Sequence, residues 1–137
     1  MSPEAAICAL VWAELHEGAD STPGHPPLPV ACPSTLAEVK GTFEAHAPGW
    51  ECDSTIEWIR DSATPVDLAC GHTQGLRLER YYEVETHVVK TPHGWVAYPY
   101  WRGGGKHGEP SAIPWACDAR FVQHRVETRP VDVFEEF

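Results

Sequence analysis

The chain has 137 residues, 42% hydrophobic and 22% charged, which suits one globular domain with a real core and excludes global disorder. Twenty acidic residues against ten basic give a net charge of −10, a surface that repels phosphate backbones and disfavours direct DNA or RNA binding. No run of about 18 apolar residues occurs, so a membrane-spanning helix is excluded as well.

Residues 2–17 read as the first helix. Ser2 can cap it, Pro3 suits its first turn, and Glu4 sits near the positive end of the helix dipole. Ile7, Leu10, Val11 and Leu15 form one apolar stripe, and Gly18 is the expected stop. The next stretch, 19–33, holds Pro23, Pro26, Pro27, Pro29 and Pro33, so it is loop or polyproline and not helix. A second helix is predicted over 35–47, where Thr35 and Glu38 have capping-box spacing and Leu36, Val39 and Phe43 share a face. A third, over 54–61, has Asp53 or Ser54 as cap and turns Ile56 and Ile59 inward.

The pattern then changes period. Leu76, Leu78, Tyr82, Val84 and Val88 alternate with Arg77, Glu79, Glu83, Glu85 and His87, the mark of a half-buried strand. Thr91-Pro92-His93-Gly94 fits a type I turn leading into a second strand at about 95–102. A third strand is expected near 119–128 and a short fourth at Val131–Phe134, while Val66, Leu68 and Cys70 alternate and could pair at an edge. The fold class is therefore α+β: two or three N-terminal helices packed on a three- to four-stranded antiparallel sheet. It forms a single domain, 1–137, with a helical half at about 1–62 and a meander at about 66–134.

The cysteines are Cys8, Cys32, Cys52, Cys70 and Cys117, an odd number at wide spacing. The apolar patch Ala5–Ala13 is short and follows Glu4 with no preceding positive charge, unlike a secretory signal. Reduced, buried thiols in a cytoplasmic protein are the expectation. Cys70-Gly71-His72 is the sharpest local metal candidate. Zinc would need two further ligands from Cys32, Cys52, His87 or His93, and no pair of cysteines two residues apart exists to anchor it.

The stretch 95–115 carries five aromatic rings, Trp95, Tyr98, Tyr100, Trp101 and Trp115, around a glycine-rich loop. Rings alternate on both faces of the second strand. One face must pack on the helices; the other is either covered within the sheet core or open to a partner. The expected contact residues are Tyr98, Tyr100, Trp101, Arg102, Lys106 and His107. Gly103-Gly104-Gly105-Lys106 lacks the spacing and following helix of a phosphate loop. Glu79, Glu83 and Glu85 form an expected acidic patch that could imitate a phosphate backbone, with Glu135-Glu136 as a second.

The composition and the ring-rich ribbon together lead to an expectation of a small acidic, non-enzymatic protein that binds another macromolecule. The partner expected is a basic nucleic-acid-binding protein, as for a phage- or virus-type accessory protein or inhibitor of a host nucleic-acid-handling system. Three alternatives come from other classes: a structural-zinc protein using Cys70 and His72, a virion or assembly component, and a small enzyme using His107 and Glu109. No other cofactor is implied.

Overall fold

The computed structural model describes residues 1–66, 82–103 and 113–126, together with 110, 130 and 132–136. Three N-terminal helices precede a four-stranded antiparallel sheet, an α+β arrangement. Helix α1 spans Pro3–Ser21, and the Ser2 hydroxyl accepts from the Ala5 amide at 3.0 Å. The helix runs through Gly18, where the sequence suggested a stop. Ala19 packs against the core, so one more turn buries apolar surface, and the left-handed glycine comes later, at Gly24 with φ +80°.

Helix α2 spans Leu36–His46. Its Thr35 cap accepts from the Glu38 amide at 3.1 Å and donates its hydroxyl to the Glu38 carboxylate at 3.2 Å. Glu4 of α1 reaches across to accept from the Leu36 amide at 3.0 Å, so one helix caps the next. Thr35→Ala is expected to cost about 1 kcal/mol in urea unfolding, with Thr35→Ser retaining most of the stability. Helix α3 spans Asp53–Asp61 and turns Ile56 and Ile59 inward as its sequence predicts, but its cap position is Cys52, with no side-chain cap hydrogen bond, and not the expected Asp53 or Ser54.

The core lies where α1 meets everything else. Ile7 and Val11 of α1, Val39 and Phe43 of α2, and Ile59 of α3 join Val96, Tyr98 and Trp115. The proline-rich segment is pinned to α1 from one side. Trp12 Nε1 donates to the Pro29 carbonyl at 3.0 Å, and His16 Nε2, one helical turn on, lies 2.8 Å from the same oxygen. Cys8 and Cys52 are buried, and burial pushes the Cys8 thiol up to about 12. Cys32 and Cys117 are exposed, contrary to the expectation of buried thiols; none of these four forms a disulfide.

The sheet order is β1 (Thr64–Val66), β2 (Tyr82–Thr91), β3 (Gly94–Gly103) and β4 (Arg120–Val122). The fourth strand is thus the early edge segment at Val66, and the described residues 132–136 form no strand. The hairpin loop is Pro92-His93. Thr91 Oγ1 accepts from the His93 amide at 3.1 Å and donates to the Gly94 carbonyl at 2.7 Å, with Gly94 at φ +122°. In a two-residue hairpin the flanking pair, Thr91 and Gly94, exchanges hydrogen bonds, and bonded pairs then alternate along the ladder. Trp95, Ala97, Pro99 and Trp101 therefore turn their backbone groups away from β2, towards β4.

That parity explains where β4 begins. It pairs with Trp95, Val96 and Ala97, and the next outward position is Pro99, which has no N–H to give. Proline can sit inside a ten-residue strand here because its missing donor faces the open side.

Candidate partner-binding surface

The ring-rich ribbon is mostly interior. Val96 and Tyr98 of β3 pack on the helices, and on the opposite face Ala97, Pro99 and Trp101 are buried too. Tyr98 has no exposed surface, Trp101 is 4% exposed, and Trp115 lies against Tyr98 with ring centres 4.7 Å apart. The expectation that Tyr98 and Trp101 contact a partner is corrected accordingly: both rings are spent on the protein's own packing. Tyr100 is half-buried and Arg102 is exposed. Lys106, His107 and Glu109 lie outside the described residues.

The polar phase of β2 also differs from its simplest reading. Glu85 pairs with Tyr100, His87 with Tyr98, and Val89 with Val96, which places the Glu83, Glu85 and His87 side of the strand on the helix-facing side. Glu83 is exposed. Glu85 is half-buried and ion-paired with Arg102, so it is not a free carboxylate. Glu79 lies outside the described residues.

At this end of the sheet the side chains form one linked cluster. The Arg60 guanidinium, on a residue only 3% exposed, donates to the Asp61 carboxylate at 2.8 Å and to the Trp101 carbonyl. Its carbon lies 4.2 Å from the Tyr100 ring centre, while His87 stacks on the same ring at 4.0 Å with planes 10° apart. Two groups so close to one ring centre must occupy opposite faces, so Tyr100 is sandwiched between them. The Tyr100 hydroxyl is 3.1 Å from Asp61 Oδ1, and the Tyr98 hydroxyl donates to the Arg60 carbonyl. The arrangement fastens α3 to β3.

His87 is the titratable member of this cluster. Burial pulls its imidazole below the ordinary value; Glu85, 3.6 Å away, opposes the shift, and Arg60 and Arg102 add to it. Because the folded value lies below the unfolded one, the unfolded chain takes up the proton first as pH falls. The contribution to stability is full above about pH 6.5 and is lost as pH drops through the folded value. The urea midpoint of the wild type is expected to fall more steeply below about pH 6.5 than that of His87→Phe, which keeps the stack and cannot protonate.

Cys70 and His72 lie outside the described residues. Among the described residues no group of three or more His, Cys, Asp or Glu side chains is placed to hold a metal ion. Cys52 belongs to the helical core, Cys32 lies exposed beside Pro33, and His93 sits at the hairpin tip. No helix of the described structure is long and apolar enough to cross a membrane.

Most of the net negative charge lies in the helical half. Ten of the twenty acidic residues fall within residues 1–62, against Lys40 and Arg60 alone, so this half carries −8 of the net −10. Arg60 is buried, and Lys40 is paired with Asp53 at 2.7 Å. No protein-family model, curated protein or solved structure matches the chain. Its surface must therefore be read on its own chemistry.

Two uncovered indoles stand in this anionic field. Trp58 of α3 is 57% exposed and Trp50, just before α3, is 38% exposed. Sequence reading missed both. The signal was present in α3: with Ile56 and Ile59 inward, position 58 falls about 200° from Ile56 and faces out, which is unusual for a tryptophan with no partner.

Proposed function

We propose that this protein acts by binding a basic protein partner, with the helical layer as the contacting side. What carries the reading is the pairing of concentrated negative charge with the exposed Trp58 indole. Charge sets which partner approaches and at what rate, and an aromatic anchor supplies the contact area. Proteins that handle nucleic acids present the matching positive grooves, so an accessory or inhibitory role towards such a protein, of the kind phage and viruses encode, is the specific form proposed. Arg102 and Glu83, exposed at the far end of the hairpin, are secondary contact candidates in the same reading.

The test is capture from lysate on the immobilised full-length chain, with the retained proteins identified. Proteins with basic surfaces are expected, released as ionic strength rises from about 0.05 to about 0.5 M and displaced by added DNA. Retention that salt and DNA leave unchanged would overturn the reading.

A further inference from the structure

We propose that the groove between α1 and α3 receives a lysine or arginine side chain of the partner. This deepens the reading above and rests on it. Two adjoining depressions, of about 260 and 160 Å³, share Glu14 and Thr55 as lining. Trp58 bounds the first; Trp50 and Glu51 bound the second. The Pro48-Gly49 turn, with Gly49 at φ +85°, aims Trp50 at the groove, and its ring rests against His25 with centres 4.4 Å apart.

The chemistry of the lining selects the occupant. Glu14 is half-buried on α1 and has no hydrogen-bond or ion-pair partner among the described residues, so a carboxylate sits part-way into the groove without a counter-charge. No lysine or arginine appears among the described lining residues. An anionic ligand would meet Glu14 and Glu51 directly. A purely apolar one would cover Glu14 and strip its water with no compensating hydrogen bond. A long cationic side chain meets both demands at once. Its methylene stem lies along the indole, and its charged head reaches the carboxylate or the face of the ring. The −8 of the surrounding half favours the same sign.

The experiment is a titration of the full chain with acetylated, amidated Gly-Arg and Gly-Lys repeat peptides, and with a Gly-Gln repeat as neutral control. Tryptophan fluorescence and indole NMR signals are followed. The expected result is binding of the two cationic peptides and not the neutral one, with Trp58 and Trp50 indole signals shifting. Glu14→Gln and Trp58→Ala are each expected to weaken binding about tenfold. Glu136→Gln makes the same charge change on an exposed residue near the end of the chain and is expected to leave binding within about twofold. Glu14→Gln is nearly isosteric, so it reads the site even if Trp58→Ala perturbs α3. Should Glu14→Gln and Glu136→Gln weaken binding equally, or the indole signals stay fixed, the groove is overturned while the basic-partner reading stands. If the lysate experiment retains no basic protein and no cationic peptide binds, both fall together.

Discussion

Tyr98→Ala is expected to destabilise the protein by about 4 kcal/mol, the largest effect of any single truncation in the sheet. Tyr98 has no solvent-exposed surface and packs against Trp115 and the helical core. Removing the ring leaves a cavity bounded by two layers that cannot both relax into it. Its hydroxyl donates to the Arg60 carbonyl, so truncation also strands a buried acceptor at the last turn of α3. Tyr98→Phe separates the two parts and is expected to cost about 1 kcal/mol, the hydrogen bond alone. Because folded domains hold only about 5–15 kcal/mol, the alanine variant should unfold at far lower urea. Equal midpoints for Tyr98→Phe and the wild type would show that the hydroxyl contributes nothing net.

Arg60→Ala is expected to cost about 3 kcal/mol by the same measurement. The contact with Asp61 contributes the smaller part, because that carboxylate is about half-exposed and screened by water. The larger part comes from the Trp101 carbonyl, left without a donor, and from the Tyr100 ring, which loses the cation on one face. Arg60→Lys should recover less than half of the loss. A single ammonium cannot lie flat over Tyr100 and also reach both oxygens. The variant also tests an architectural point. Beyond Pro99 the open side of β3 carries an outward carbonyl at Trp101, and Arg60 occupies it. Arg60→Ala frees that acceptor, so light scattering should detect more self-association than in Tyr98→Phe.

The helices were legible from the chain because capping residues and a 3.6-residue stripe act within a few positions of each other. Ser2, Thr35 and the Ile56–Ile59 pair each specify local geometry and inward direction without outside help. The hairpin was legible for the same reason, through Pro92, His93 and Gly94. The end of α1 was not, since a glycine is only a weak stop when the next turn can bury Ala19. The facing of β2 was not legible either. Alternation divides a strand into two sides but does not say which side the helices cover, and here Thr86 and His87, neighbours on opposite sides, are both buried. Which of the two coverings open to the second face of the ribbon applies was not legible on the same account: the cover over Trp101 is a tertiary fact that no spacing within 95–103 encodes. Trp58 lay within reach of sequence reasoning, because the phase of α3 alone turns it outward.

The uneven division of charge has a consequence at distances where no side chain touches anything. Among the described residues −8 is gathered in the helical layer and −2 in the remainder, an uneven division that gives them an electric moment. A cationic surface within about a Debye length would exert a torque that turns the α1–α3 side towards it. In the binding role proposed above, orientation would thus be biased before collision, and the rate of encounter is expected to fall with added salt faster than the lifetime of such a complex.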